Sequence, residues 1–329
     1  MKTFIIINLK QISKIKIDVI LTYAIITFIT IFFVACGDSN NSSLDIWNKD
    51  DDWGDKDIIE NEDALTINHN GIAREYVLHV PDSYNGETPV PLMISFHGGG
   101  GTATGQMYMA DMRPIADTAN FILVYPQGLQ LSDGGSTHWN SMLLSDSNKS
   151  SVDDFGFIDA LINHLSSTYN IDSTRLYATG FSNGADISFT LGCFLDNKIA
   201  AVAPVSGLML NNPSSNCNPP HRVGIMIIHG TSDNARPTGG IEGYYASIDE
   251  TILFWSNLNL TSLNPNITGY TADGLTVEHH LYSDQNNTAY IEYYKVVNGD
   301  HIWLNITREG LNTNQLIWNF VSKFRLEIP

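Results

Sequence analysis

A serine stands between two glycines in the segment Gly180-Phe181-Ser182-Asn183-Gly184, after an apolar run and before a helix-like stretch. A serine hydroxyl is a weak nucleophile, and it attacks a carbonyl carbon only when a neighbouring base takes its proton. The same pattern is also typical of an ordinary turn, because Gly and Ser are common in turns. The role of Ser182 therefore depends on whether the chain supplies a base, an acid and donors for an oxyanion.

Candidates for the acid and the base follow Ser182 along the chain. Asp233 stands in the loop after a buried strand pattern, and His301 stands in the loop "NGDHIW" before the last helix-like segment. The neighbouring His279 and His280 lie inside a strand-like pattern instead. Loops at strand ends are where open sheets build their sites. We therefore predict Ser182 as the nucleophile, His301 as the base and Asp233 as the carboxylate that orients it.

Two backbone N–H groups are needed to hold the oxyanion. The first is expected from Asn183, which follows the nucleophile at the start of a predicted helix. The second is expected from the glycine-rich loop after an early strand, because glycines leave backbone N–H groups accessible. The sequence does not choose among the members of this loop: Gly98, Gly99, Gly100, Gly101 and Thr102.

Apolar, strand-like runs alternate with helical patterns from residue 64 onward. The predicted strands are 75–80, 92–97, 121–125, 176–179, 201–205, 224–229 and 289–296, and the predicted helices are 154–168, 185–195 and 314–324. Several runs are unbroken, as expected for strands that are covered on both faces. This alternation predicts an α/β fold with a mostly parallel central sheet and helices on both faces. Residues 256–275 are predicted to be an irregular polar insertion.

The composition limits the partners. The chain has 17 Lys and Arg against 35 Asp and Glu, a formal charge of −18, which argues against nucleic acid or an anionic membrane surface as a partner. The sequence contains no Cys/His cluster of the metal-binding type, and the serine chemistry requires no metal or organic cofactor. We expect a monomer whose partner is an ester substrate derived from a polysaccharide or a polyester.

The first residues have the features of an export signal. Lysines precede an apolar run at 19–35 that ends directly before Cys36, as in a bacterial lipobox. We predict a signal peptide at 1–36 with Cys36 as the lipidation site, an acidic flexible tether at 37–63 and a catalytic domain at 64–329. Plain secretion and a retained membrane helix are the alternatives, and all three place the domain outside the cytoplasm. The lipid anchor would be its sole contact with a membrane.

Two cysteines remain once Cys36 is assigned to lipid. In an oxidising compartment Cys193 and Cys217 form a candidate disulfide, and two free buried thiols are the alternative.

Segments spread between residues 75 and 325 resemble one family of hydrolases. They are "SFHGGGGTA", "VYPQG" followed by "HWN", "VDDFGFIDALI", "YNIDSTRLYATGFSNGA", "IAAVAPVSG", "IIHGTSDN" and "GDHIW". The chain resembles the secreted polyhydroxybutyrate depolymerase-like and feruloyl esterase-like proteins of carbohydrate esterase family one, which have the α/β-hydrolase fold. The resemblance implies triad roles for Ser182, Asp233 and His301, and it implies the Cys193–Cys217 pair.

The resemblance also bears on the substrate cleft. It places Trp139 and Trp303 in segments near the cleft, and Asp154 as well, although we interpret Asp154 as a structural residue at a helix start. The chain departs from the family at Arg236-Pro237-Thr238-Gly239-Gly240, and at Leu304 after Trp303. The first departure concerns the wall of the acyl pocket, and both departures bear on the substrate rather than on the triad.

The leading hypothesis is a secreted or surface serine esterase that hydrolyses feruloyl or acetyl esters on polysaccharides through an acyl-enzyme. The alternative is a depolymerase of hydroxyalkanoate polyesters or oligomers. A more distant alternative is a surface lipoprotein that binds carbohydrate without catalysis.

Overall fold

The computed structural model describes residues 64–131, 135–141, 149–195, 197–211 and 217–327. The predicted signal segment with Cys36 and the predicted tether at 37–63 lie outside these residues. Within the described ranges, no helix combines the length and the apolar character needed to cross a membrane.

Ten of the strands in the described residues form one sheet, in the order β1-β2-β4-β3-β7-β8-β9-β12-β11-β10. The strands are β1 (Leu65–His69), β2 (Ile72–His79), β3 (Val90–Phe96), β4 (Ile122–Pro126), β5 (Leu129–Gln130), β6 (Thr137–His138), β7 (Ile171–Phe181), β8 (Ile199–Val205), β9 (Gly224–Gly230), β10 (Asn266–Ala272), β11 (Leu275–Ser283), β12 (Ala289–Val297), β13 (Thr307–Arg308) and β14 (Leu311–Asn312). The block from β4 to β12 is parallel, and the strands beyond it on either side pair antiparallel. The seven predicted strands are all present, and the mostly parallel sheet is confirmed.

The described helices number six. They are α1 (Ala103–Met109), α2 (Arg113–Ala119), α3 (Asp154–Thr168), α4 (Asn183–Phe194), α5 (Ile248–Asn259) and α6 (Thr313–Val321). Asp153 caps α3 by accepting a hydrogen bond from the Gly156 N–H. The helices α1 and α2 were not recognised from the pattern.

Both faces of the parallel block are buried. On one face, Met93 and Tyr177 of the sheet pack with residues of α1 and with α6 residues such as Phe320 in a single apolar core. The intervening strand residues, for example Leu92 and Ile94, are also fully buried. Strands β3, β4, β8 and β9 have no exposed residue, which explains why they are unbroken apolar runs in the sequence.

The prediction of an irregular insertion at 256–275 is wrong. This segment contains the end of α5 and the whole of β10, which pairs with β11 along its full length. Because β10 is an edge strand and most of its residues are exposed, it lacks the apolar alternation that identifies a strand in a sequence.

Strands β3, β7, β9 and β12 are parallel, so their carboxyl ends meet at the same edge of the sheet. The loops that follow these four strands carry the glycine-rich loop, Ser182, Asp233 and His301 respectively. The topology therefore gathers the predicted site residues at one edge.

Candidate active site

Ser182 lies in a strained turn between β7 and α4. Its backbone has φ 52° and ψ −121°, a conformation with positive φ that residues other than glycine rarely adopt. A Cβ atom at Gly180 would lie 2.5 Å from the carbonyl oxygen of Gly184, and one at Gly184 would lie 2.4 Å from that of His97. Both positions therefore admit only glycine, and the turn holds Ser182 at the edge of the sheet.

A chain of hydrogen bonds joins the three predicted triad residues. Nε2 of His301 lies 2.9 Å from Oγ of Ser182, and Nδ1 of His301 lies 2.8 Å from Oδ2 of Asp233. With a carboxylate at Nδ1, the ring proton belongs on Nδ1 and Nε2 is left to accept the serine proton. This arrangement can activate a hydroxyl for attack on a carbonyl group.

The Asp233 carboxylate is buried and anchored on its other side. Its Oδ1 accepts the backbone N–H groups of Ala235 at 3.0 Å and Arg236 at 2.7 Å. His229 lies behind it, with Nε2 3.6 Å from Oδ2 and donating to the Arg236 carbonyl oxygen at 2.7 Å. Burial lowers the pKa of His229, so this ring is neutral beside the carboxylate.

The loop of Asp233 and the loop of His301 are in close contact at Gly230 and Gly299. A Cβ atom at Gly230 would lie 2.2 Å from the carbonyl oxygen of Gly299, which accepts the N–H of Ser232 at 2.9 Å. Beyond His301, the hydroxyl of Ser206 donates to the carbonyl oxygen of Ile302 at 2.9 Å. These contacts set the position of the histidine relative to the acid.

The glycine-rich loop lies against Ser182. A Cβ atom at Gly98 would lie 3.3 Å from Cβ of Ser182. Gly100 donates its N–H to the Thr137 carbonyl oxygen at 2.7 Å, and Gly101 donates to Gly98 at 3.1 Å. Because these two N–H groups are engaged within the protein, the geometry favours Gly98 and Gly99 as partners of Asn183.

Thr102 belongs to the next element. Its hydroxyl accepts the N–H of Gly105 and so caps α1. The N–H of Asn183 is in the first turn of α4, where backbone donors have no acceptor within the helix.

His97 shapes the start of the loop. Its Nε2 accepts the N–H of Gly128 at 2.9 Å, so the proton is on Nδ1, which donates to the Gly98 carbonyl oxygen at 2.7 Å. Burial lowers its pKa to about 4, and the ring stays neutral near pH 7.

The two tryptophans predicted near the cleft are buried. Trp139 is 2% exposed and hydrogen-bonds to the His97 carbonyl oxygen and to the Asn183 side chain. Trp303 is 5% exposed and packs in the apolar core with Leu304 and Ile306. Neither ring forms an open wall of the cleft.

Asp154 has the structural role that we expected. Its carboxylate pairs with Arg74 at 2.7 Å, both groups are almost fully buried, and it accepts the Asn140 N–H at 2.8 Å. Burial raises the pKa of Asp154 and lowers that of Arg74, and the ion pair opposes both effects.

The predicted Cys193–Cys217 disulfide is present, with an S–S distance of 2.01 Å. It ties the last turn of α4 to the segment before β9. A disulfide of this kind indicates an oxidising compartment outside the cytoplasm.

The sequence reasoning missed Asp186, which forms a buried ion pair with Arg236. Asp186 follows Ser182 by one helical turn in a helix that is buried along nearly its whole length, and a buried acidic residue signals a buried partner.

With this geometry, the chain can be compared with known proteins. The model of the phospholipase/carboxylesterase family matches residues 84–247. Feruloyl esterase D of Neurospora crassa is 29% identical over 186 residues, which are 53% of this chain and 58% of that protein. The bifunctional acetylxylan esterase/xylanase XynS20E of Neocallimastix patriciarum is 25% identical over 264 residues, which are 79% of this chain and 34% of that protein. The chain thus spans about a third to three fifths of the length of these relatives.

Two solved structures share the fold. A thermostable esterase has a TM-score of 0.55 at 16% identity, covering 82% of this chain and 64% of its own. The acetyl xylan esterase from Aspergillus awamori has a TM-score of 0.55 at 14% identity, covering 79% of this chain and 99% of its own. The chain has the α/β-hydrolase fold. It is similar in sequence to esterases that share this fold.

Proposed function

We propose that the protein is a serine esterase that hydrolyses feruloyl or acetyl esters on polysaccharides. The observation that carries the proposal is the hydrogen-bond chain from Ser182 through His301 to Asp233. The substrate class is supported by the relatives, which are named as feruloyl and acetylxylan esterases.

The mechanism follows from the atoms in the chain. Nε2 of His301 takes the proton of Ser182, whose Oγ attacks the ester carbonyl carbon. The oxyanion accepts the N–H of Asn183 and an N–H of the Gly98–Gly99 segment. The alcohol leaves with the proton from Nε2, and water then attacks the acyl-enzyme in the same way. Asp233 stabilises the imidazolium during both steps.

The test compares the protein with Ser182→Ala on methyl ferulate, an acetylated xylooligosaccharide, a hydroxybutyrate trimer and p-nitrophenyl acetate. Ser188→Ala is the matched control, because Ser188 is a buried serine of α4, the helix that follows Ser182, and its hydroxyl donates to the Gly184 carbonyl oxygen. We expect activity in the protein and in the control, and loss of about three orders of magnitude or more in Ser182→Ala.

The preferred substrate then decides between the two esterase hypotheses. Cleavage of the ferulate or the acetylated sugar supports a polysaccharide substrate. Cleavage of the hydroxybutyrate trimer alone would instead support a polyester substrate. If the protein cleaves none of the four esters, the enzyme hypothesis fails and carbohydrate binding becomes the better explanation.

The proposed location is outside the cytoplasm, with the chain anchored through lipid on Cys36. The Cys193–Cys217 disulfide supports an oxidising compartment. The wild type should be found in the membrane fraction of expressing cells and the Cys36→Ser variant in the soluble fraction. The same distribution for both proteins would argue against the lipid anchor.

A further inference from the structure

Trp139 makes three hydrogen bonds, with the residue before Gly98 and with the residue after Ser182. Its indole Nε1–H donates to the carbonyl oxygen of His97 at 3.0 Å. Its backbone N–H donates to Oδ1 of Asn183 at 2.6 Å, and its carbonyl oxygen accepts Nδ2 of Asn183 at 3.0 Å. The ring also packs edge-on against Phe96, with the centroids 5.2 Å apart.

These bonds reach both proposed sources of oxyanion donors. The carbonyl group of His97 belongs to the peptide unit whose N–H is that of Gly98. Asn183 supplies the other N–H, and its side chain is held at both polar atoms by the Trp139 backbone. One buried residue therefore connects the two donor segments, which come from different strands of the sheet.

The segment around Trp139 holds the glycine-rich loop at two further points. The carbonyl oxygen of Thr137 accepts the N–H of Gly100 at 2.7 Å, and the Thr137 hydroxyl donates to the Gly101 carbonyl oxygen at 2.6 Å. Residues 137–139 therefore brace the loop along its length.

The brace is itself anchored in the interior. The N–H of Asn140 donates to the buried carboxylate of Asp154 at 2.8 Å, and its side-chain amide donates to the Val152 carbonyl oxygen at 2.7 Å. Asp154 is in turn paired with Arg74 at 2.7 Å. A buried network of hydrogen bonds and an ion pair of this kind limits small displacements.

We propose that Trp139 is a positioning residue that sets the separation of the two oxyanion donors, rather than a residue that binds substrate. The proposal rests on the proposed esterase function. A hydrogen bond to the oxyanion depends steeply on distance and angle, so small shifts of either donor reduce transition-state stabilisation while leaving substrate binding nearly unchanged.

The test uses Trp139→Phe, which keeps an aromatic ring and removes the indole N–H. Trp255→Phe is the matched control, because Trp255 is a fully buried tryptophan of α5. Asn183→Ala is a second variant, which removes the side-chain link and keeps the backbone N–H. Each protein is assayed on p-nitrophenyl acetate and on its thionoester, in which sulfur replaces the carbonyl oxygen and accepts hydrogen bonds weakly.

We expect kcat on the ester to fall about tenfold or more in Trp139→Phe and Asn183→Ala, with KM changed less than about threefold. The ratio of kcat/KM for the ester to that for the thionoester should fall by a similar factor, because the thionoester gains little from the oxyanion hole. In Trp255→Phe both the ratio and the KM should match the wild type.

Three results would overturn the proposal. An unchanged ratio in a folded Trp139→Phe, with both substrates slowed equally, would mean a purely structural role. If Trp139→Phe does not fold, an unchanged ratio in Asn183→Ala overturns it instead. A wild type that cleaves neither substrate rules out both the proposed function and this inference. If the wild type is active but the variants keep its ester-to-thionoester ratio, only this inference fails.

Discussion

Asp186 and Arg236 form a buried ion pair that joins the helix after Ser182 to the loop of Asp233. Oδ2 of Asp186 lies 3.1 Å from Nη2 and 3.2 Å from Nε of Arg236, and its Oδ1 accepts the N–H of Leu208 at 2.8 Å. The backbone N–H of Arg236 donates to Asp233. The ion pair therefore fixes the acid relative to Ser182, and the departure from the family pattern at Arg236 has a structural function rather than a place in the pocket wall.

Arg236→Met should destabilise the fold strongly, because it leaves the Asp186 carboxylate buried without its cation. We expect the free energy of unfolding to fall by about 3–5 kcal/mol in urea denaturation. Adding Asp186→Asn should recover part of this loss. The control is Arg325→Met, whose exposed pair with Asp172 should contribute less than about 1 kcal/mol. Equal losses in the two Arg→Met variants would contradict a role for burial.

Asp233→Asn should lower kcat by about four orders of magnitude with little change in stability. An amide at this position favours the wrong histidine tautomer, so Nε2 no longer accepts the serine proton. Asp300→Asn is the control, because Asp300 neighbours His301 in sequence but the carboxylate on Nδ1 is that of Asp233. Steady-state assays on p-nitrophenyl acetate measure both. A large loss in Asp300→Asn would mean that the acid has been assigned to the wrong residue.

Gly230→Ala should remove activity and destabilise the fold, because the added Cβ would lie 2.2 Å from the Gly299 carbonyl oxygen and push the acid and histidine loops apart. Gly239→Ala is the matched control, since a Cβ there meets no atom within 4 Å. Thermal unfolding and esterase assays of the two variants give the comparison. Normal activity in Gly230→Ala would show that the loops can separate without cost to the site.

The parts of the fold that the sequence predicted are those governed by local rules. The parallel strands are apolar runs because both of their faces are buried. Ser182, Asp233 and His301 each stand in a loop after one of these strands, so their positions along the chain could be predicted from the strand pattern. The edge strand β10 escaped because exposure removes its apolar pattern.

The role of Trp139 escaped for a different reason. Its partners His97 and Asn183 are 42 and 44 residues away in sequence, and no local pattern carries such contacts. The Asp186–Arg236 pair, 50 residues apart, was hidden in the same way.

The Cys193–Cys217 disulfide should stabilise the fold mainly by restricting the unfolded chain. Its cysteines are 24 residues apart, for which chain entropy predicts about 3.5 kcal/mol. The double variant Cys193→Ala with Cys217→Ala should lose about this amount in urea denaturation. Dithiothreitol should destabilise the wild type equally and leave the double variant unaffected. An unfolding midpoint of the wild type that is the same with and without dithiothreitol would contradict the prediction.

Two buried histidines should make the protein less stable in mild acid. Burial lowers the pKa of both His97 and His138 from 6.5 to about 4. Between these values the unfolded chain binds more protons than the folded one, so the free energy of unfolding falls as the pH decreases from about 6.5 to about 4 and then stops changing through these groups. At about 1.36 kcal/mol per pH unit, each histidine contributes up to about 3 kcal/mol.

Urea denaturation at pH 7 and at pH 4 measures this loss in the wild type and in His138→Gln. The variant should lose less stability than the wild type between the two pH values, by up to about 3 kcal/mol, whatever its stability at pH 7. The comparison isolates the histidine because the substitution leaves the carboxylates of the chain unchanged. An identical loss in both proteins would mean that His138 is not held neutral in the folded state.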